Sequence, residues 1–379
     1  MPTDAFYQSP LYAYFLGTLY ALFGGETWSP RVVQAVLGSV SPLLVYAVGA
    51  TLFSRTVGWL AGIGLALYGP IVLEEITFSK TTLLVVTALA AFLLYLWESP
   101  RGRTPGVFAA GLLFGVTVVG VGQWLPAFVA LAAWSPMMAA HLSADRRRRV
   151  ALAFAAGGLV VILPLVVWNT VRGGGLMLTS GDAGLNFYTG NNERASGLPA
   201  KPIGLRDVPQ YEESDGRWLA ERAVGRRLDP ADVSRYWTDC GLAWIARHPD
   251  DWLALLGKKL LTLWNAFEIP DNYHYAFMRA RFLPLLRPLP TFALVAPLAL
   301  VGLAVPFWRR RADVTALYIA CGVYLMTVVL FYVRGRYRLP AVPFLMVFAA
   351  AAVERGFHAV AARRWRSVAV LGAGACRWR

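Results

Sequence analysis

Charge is scarce in this sequence. Only 15% of its 379 residues are Asp, Glu, Lys or Arg, while 57% are hydrophobic. A soluble domain carries nearer a quarter charged residues, so an ordinary water-soluble fold is excluded. Lysine is almost missing and occurs only at positions 80, 201, 258 and 259; nearly all positive charge is arginine. Cys240, Cys321 and Cys376 are odd in number and far apart. That excludes a disulfide framework and a zinc spacing. Of the four histidines, His141 and His358 flank apolar segments, and His248 precedes a proline at a helix break. Ser/His/Asp triads, Walker loops and dinucleotide fingerprints are absent. Met1–Asp4 has no basic region or cleavage pattern, so no signal peptide is expected. The apolar runs carry almost no charge, which argues against an ion-driven pump.

What the chain has instead is long apolar runs, near the length needed to cross a hydrocarbon core of about 30 Å. Nine spans are expected, at 31–53, 57–73, 76–97, 106–122, 124–142, 150–171, 288–308, 314–333 and 339–353. The fold class is all-α, a polytopic transmembrane bundle. Residues 11–23 are apolar but short and rich in Tyr, which suits an interfacial helix. The net charge of +14 does not signal nucleic acid, because the basic clusters sit beside apolar runs. Arg101, Arg103, Arg146–Arg149, Arg309–Arg311 and the tail arginines 355, 363, 364 and 366 fall on one side when nine spans are counted. The positive-inside rule makes that side cytoplasmic. The N-terminus then lies outside, and a further span upstream of Met1 is expected.

Three regions follow: a bundle at 1–172, a polar insert at 173–287, and C-terminal spans with a basic tail at 288–379. The insert lies outside by the same rule. Within it, 229–247 opens with Asp-Pro, a helix-start signal, and 252–264 resumes as a second amphipathic helix. The Gly- and Asn-rich stretches on either side read as loop.

Polar groups at the outer rim are the candidates for chemistry. Glu74, Glu75 and Lys80 sit at the end of an apolar run, where charge is costly unless solvated, paired or used. Arg334, Arg336, Tyr337 and Arg338 form a basic link on the side that topology reserves for few cations. An anionic ligand explains them, since arginine binds phosphate through a planar fork of donors; a tightly packed loop is the plainer account. The stretch Gly184–Asn192 offers Asn186, Tyr188 and Asn191 to a sugar, or is a structural Asn/Gly turn. Glu268, Asp271 and His274 are weak metal-ligand candidates, because their spacing matches no standard motif. No cofactor is expected, and a divalent metal is left open.

The stretches AFYQSPLYAYFLGTLYALFG, GLLFGVTVVGVGQWLPAFVALAAW, GLNFYTGNN, WNAFEIPDN and RYRLPAVP together resemble bacterial membrane glycosyltransferases of the GT-C type. The nearest group is glycosyltransferase family 39, the protein-mannosyltransferase and aminoarabinose-transferase-like enzymes. The resemblance implies a sugar donor linked by phosphate to a polyprenol, passed to a glycan, lipid or protein acceptor on the periplasmic side of a bacterial inner membrane. Membrane lipids are then partners and nucleic acid is not. The family's base is an Asp or Glu in its first external loop. This chain begins inside that loop, so the base is expected upstream of Met1, with Glu75 and then Glu74 as the nearest acids present. Gln8-Ser9-Pro10 departs from the Glu-Lys-Pro of aminoarabinose transferases, and Gln8 is a substrate-side candidate. The alternatives are a truncated, inactive protein that binds lipid-linked sugar, and a transporter of lipid-linked saccharides.

Overall fold

The computed structural model describes residues 4–304 and 311–361. Arg309, Arg310, Arg363, Arg364, Arg366 and Cys376 lie outside the described residues. Among the described residues every regular element is helical. The first region holds α1 (Leu11–Phe23), α2 (Trp28–Leu52), α3 (Arg55–Ala66), α4 (Gly69–Ile76), α5 (Thr81–Arg101), α6 (Thr104–Gly120), α7 (Leu125–Met138) and α8 (Ala144–Gly173). The insert holds α9 (Ala183–Gly190), α10 (Pro209–Val224), α11 (Pro230–Arg247), α12 (Pro249–Leu263) and α13 (Tyr275–Arg281). The chain continues through α14 (Phe292–Ala304), α15 (Ala312–Leu330), the single turn α16 (Gly335–Arg338) and α17 (Val342–Ala361).

Each of the nine expected spans contains a helix. By length and apolarity, however, five helices among the described residues qualify to cross a membrane: α2, α5, α8, α15 and the run Gly335–Ala361. The pair α3 and α4 makes a sixth if it is one span, bent by 53°. Gly69-Pro70 explains the bend. Pro70 has no N–H to give to a continuing helix, but it fits the first turn of a new one. Tyr68 before it is extended, with φ −73° and ψ 102°. The bend turns α4 and the following 77–80 turn towards the insert.

Close helix packing in the bundle depends on small residues, as lipid-embedded helices require. In α6, Gly111 and Gly115 stand four apart and face α8. A Cβ on Gly111 would lie 2.1 Å from the Phe154 carbonyl oxygen, and one on Gly157 would lie 2.1 Å from that of Phe108. Behind this contact, Phe114, Phe128, Phe154 and Trp124 form one buried aromatic group. Trp124 stacks on Tyr324 of α15 with centroids 4.3 Å apart. The core is thereby continuous from α6 to the C-terminal helices.

The insert has a small core of its own, Leu185, Ala220, Leu228 and Trp237. Helix α11 starts at Pro230, as the Asp-Pro signal implies. Helix α12 starts at Pro249, three residues before the expected 252, with Asp250 and Asp251 in its first turn. Acids there favour the helix dipole. The Gly184–Asn192 stretch is no loop. It forms α9, wedged between α11 and the end of α15. A Cβ on Gly184 would meet the Ser234 carbonyl oxygen at 1.8 Å, and one on Gly190 would meet that of Phe331 at 2.0 Å.

The α6 contact is open to test. Gly111→Val drives methyl groups into the α8 backbone and should destabilise the bundle by about 1–3 kcal/mol, the usual cost of overpacking. Gly322→Val is the matched control, since a Cβ there meets nothing within 4 Å. Thermal unfolding in detergent should separate the two; equal melting temperatures would refute the packing argument.

Candidate active site

A cavity of about 1530 Å³ opens where the first region, the insert and the C-terminal helices meet. Each wall is made by a different part of the chain, and each is held for a local reason.

The first wall is an N-terminal strap, residues 5–9. The Phe6 N–H donates to Asn169 Oδ1 at 2.9 Å, and Asn169 in turn donates to the Thr179 carbonyl at 3.0 Å. The backbone N–H groups of Gly181 and Asp182 donate to the carbonyls of Phe6 and Tyr7 at 2.9 and 3.0 Å. Tyr7 and Gln8 line the cavity. The Tyr7 hydroxyl donates to Glu212 at 3.2 Å, and Glu212 also pairs with Lys201 at 3.1 Å. Burial, and then the negative charge of Glu212, push the Tyr7 phenol above its ordinary range.

The second wall is the turn that follows α4. Its backbone is fixed by Gln34, a buried amide on α2 whose Nε2 donates to the Thr77 and Ser79 carbonyls at 2.9 and 3.3 Å. Tyr12 donates to the Oε1 of the same amide at 2.5 Å. This clamp presents Lys80 to the cavity. Burial and the charge of Arg336 lower the Lys80 ammonium pKa, while Asp182 and Asp271 act the other way.

The third wall is the link from α15 to α17. Arg334 pairs with Asp271 at 3.3 Å and donates to the Pro270 carbonyl at 2.7 Å. Arg336 pairs with the same carboxylate at 2.6 Å. Arg338 points the other way and is fully buried. It takes Glu268 at 2.7 Å and donates to the carbonyls of Leu263, Asn265 and Phe267. Its guanidinium also lies 3.8 Å from the Phe292 ring centroid. Tyr332 donates to Asn186 Oδ1 at 2.9 Å and lies 3.3 Å from the Tyr337 hydroxyl. Asn186, Tyr332 and Tyr337 thus make a polar ledge beside Arg336.

Of the residues singled out in the sequence, Gln8, Lys80, Asn186, Asp271, Arg334, Arg336 and Tyr337 line this one cavity. Among the others, Glu74, Glu75, Tyr188 and Asn191 were candidates for catalysis or substrate binding and do not. Glu74 is buried and is held by Thr81 at 2.9 Å and by the Ser79 hydroxyl. Glu75 packs against Gly38 of α2, on the opposite side of α4. Neither carboxylate reaches the cavity, so neither is set to act as a base in it. Tyr188 packs on Trp237 with centroids 5.0 Å apart, inside the insert. Asn191 is fully buried. It donates to the Phe187 and Leu330 carbonyls and accepts from Trp252 and Lys259, so its amide is spent on packing. The corrections at Tyr188 and Asn191 have one cause: Ala183–Gly190 is a helix, so Tyr188 and the capping Asn191 turn inward instead of facing a ligand from a loop.

Sequence reading missed Tyr7, Asp182, Lys201, Glu212 and Tyr332, all on the cavity wall. A rarity signal was available for one of them, since Lys201 is among only four lysines. The proposed metal-ligand trio has other work. Glu268 and Asp271 are bound by arginines, and His274 Nδ1 accepts from the Phe277 N–H at 3.2 Å. Among the described residues no three His, Cys, Asp or Glu side chains gather as a metal group.

Residues 7–168 match the family model for dolichyl-phosphate-mannose-protein mannosyltransferase. The fold is that of the oligosaccharyltransferase of Archaeoglobus fulgidus. Its crystal structure in complex with Zn and sulfate superposes with a TM-score of 0.52 at 15% identity, covering 97% of this chain and 43% of that one. The apo form gives 0.52 at 16%, covering 97% and 45%. This chain therefore spans less than half the length of those proteins. ArnT from Cupriavidus metallidurans aligns over 93% of this chain and 68% of its own, at 16% identity and a TM-score of 0.38. No protein of curated function matches in sequence. The family match and the shared fold both agree with the GT-C resemblance read from the sequence.

Two outcomes follow from the walls. Glu268→Ala leaves Arg338 buried without its carboxylate, which should cost about 3–5 kcal/mol; detergent unfolding curves matching the wild type would refute this. Lys259 is buried, and burial alone lowers its pKa from 10.5 to about 8. Between pH 8 and 10.5 the unfolded chain holds the proton that the folded chain has lost, so stability should rise with pH across that window. Lys259→Met should remove the rise, as read from the difference in melting temperature between the two proteins at pH 8 and pH 10.

Proposed function

We propose that this chain is a GT-C membrane glycosyltransferase that moves a sugar from a polyprenyl-phosphate donor to a glycan, lipid or protein acceptor. One observation carries the reading. Lys80, Arg334 and Arg336 come from opposite ends of the sequence and meet on the wall of a single cavity at the ends of apolar helices. Three cations held in a partly desolvated space need an anion, and Asp271 supplies one negative charge against them. A lipid phosphate has the charge, the acceptor oxygens and the apolar tail that such a site accommodates.

In the reaction, negative charge builds on the phosphate as the bond to the sugar breaks. Cations already fixed at that point stabilise it without reorganising. The ion pair with Asp271 and the ring of Tyr337, 5.7 Å away, hold the Arg336 guanidinium in position. The Asn186–Tyr332–Tyr337 ledge offers hydroxyls and an amide to the sugar. The insert and active site are assigned to the external side of a bacterial inner membrane, from the distribution of arginines around the apolar helices. Lys80, Arg334, Arg336, Tyr337, Asn186 and Gln8 are the substrate-binding residues on this reading.

Membranes expressing the gene, supplied with radiolabelled polyprenyl-phosphate mannose, glucose or aminoarabinose, test the reading. Arg336→Ala should insert normally yet lower transfer by about 10²–10³-fold, the usual effect of removing one group that stabilises transition-state charge. Wild-type turnover in that variant would sink the phosphate-binding role.

A further inference from the structure

Between Asp271 and Asp313 the sequence has no carboxylate. Arg279, Arg281 and Arg287 fall inside that stretch, on α13 and just after the single turn Pro284–Leu286. Two of these guanidiniums are crossed over each other's backbone. Arg279 donates to the Arg287 carbonyl at 2.7 Å, and Arg287 donates to the carbonyls of Ala280 at 2.6 Å and Arg279 at 3.5 Å. Arg281 is exposed and contributes no bond to that lock. None of the three forms an ion pair among the described residues. The nearest acids in the chain, Glu268 and Asp271, are held by Arg334, Arg336 and Arg338. Like charges fixed this close repel, and an anion between them relieves the repulsion.

The same segment turns its apolar side chains two ways. Tyr275 and Leu286 are buried with Leu73 of α4, and Met278 and Leu283 pack on them. The Gly69 N–H donates to the Pro290 carbonyl at 3.0 Å, which ties the end of the segment to the α3–α4 joint. Seated in this way, the segment leaves Phe277, Phe282 and Leu285 outside. They are 51%, 63% and 86% exposed, with the two rings edge to face at 5.5 Å. An apolar tip of this kind marks a surface that something covers. At Phe292 the chain enters the apolar helix α14, whose Leu294 and Leu300 are exposed as well. The tip therefore stands at the start of a helix with an apolar outer face.

We infer that residues 275–287 dock on the bilayer surface and hold the headgroup of an anionic phospholipid between their arginines. Phe277, Phe282 and Leu285 enter the boundary between headgroups and acyl chains, as the apolar face of an interfacial helix does. The arginine stems lie along that apolar surface, and their planar forks meet the phosphate oxygens. Two observations select lipid over a protein partner. The tip is continuous in sequence with α14, and its positive charge has no carboxylate to balance it, which suits a surface of net negative charge. This contact is separate from the donor site, because Arg279, Arg281 and Arg287 do not line the cavity. It stands whether or not the cavity transfers a sugar.

Spin labelling of the full chain in lipid nanodiscs tests the contact at its own position. The label is carried by Leu285→Cys, in a chain with Cys240→Ser, Cys321→Ala and Cys376→Ser. In phosphatidylcholine with added phosphatidylglycerol, that label should meet dissolved oxygen more often than a water-soluble nickel chelate. A label at Arg227→Cys, exposed on the insert, should show the reverse. Raising the phosphatidylglycerol fraction should immobilise the label at position 285. Arg281→Gln, which breaks no bond within the protein, should raise the fraction needed for half the effect by about five-fold, the worth of one arginine near an anionic surface. Adding Arg287→Gln should abolish the response. Two results overturn the inference. One is a label at position 285 that favours the nickel chelate, which leaves the tip to a protein partner or a second copy of the chain. The other is a lipid response that both arginine variants leave unchanged.

Discussion

Two carboxylates three residues apart, Glu268 and Asp271, meet three arginines spaced two apart, Arg334, Arg336 and Arg338. The rest of the site depends on this ladder. Arg338 is wholly buried, and a buried guanidinium is tolerated only when its donors are satisfied. Glu268 and three backbone carbonyls do that for its two terminal nitrogens, while Nε has no partner. Glu268 also accepts from Tyr68 and from the Phe292 N–H, both at 3.3 Å, so one carboxylate ties the α3–α4 joint, the segment after α12, α14 and α16 together. Arg338 is locked inward, while Arg334 before the α16 turn and Arg336 within it pair with Asp271 and line the cavity.

The cavity charges follow the same logic of partial neutralisation. Four cations and four carboxylates line it, and most are paired. Pairing keeps charge in a site that water only partly reaches. It also leaves two groups, Lys80 and Asp182, without an ion pair among the described residues, held instead by the backbone that carries them. Gln34 fixes the turn before Lys80, and the strap fixes Asp182. Both supports are neutral, so they restrain position without cancelling the charge.

Much of the architecture was legible. Apolar runs give long helices whatever their neighbours, and Asp-Pro marks a helix start by local chemistry alone, whereas His248-Pro249 reads as a break and in fact opens α12. The bend at Gly69-Pro70 was missed because apolarity continues through it. Lys80, Arg334 and Arg336 stood out because charge beside an apolar run is expensive and therefore rare. Glu74 and Glu75 stood out for the same reason, yet they face the protein. Rarity identifies a costly charge but not the side of the helix it points to. Tyr7, Asp182 and Glu212 gave no such signal. They lie in polar stretches where acids and tyrosines are cheap, and only their long-range partners reveal them. The Asn-rich segment misled because Gly184 and Gly190 read as turn residues, whereas they are glycines for lack of room.

The strap has a consequence in time. Phe6 and Tyr7 leave the ribosome early, but their partners Asn169, Gly181 and Asp182 are made more than 160 residues later. Until then the strap has nothing to bind, and the wall bearing Arg336 comes later still. Domains tend to fold in the order of synthesis, yet this cavity has its oldest and youngest residues as neighbours. No partly made chain holds the finished cavity, so it closes only after the helices around it have been made.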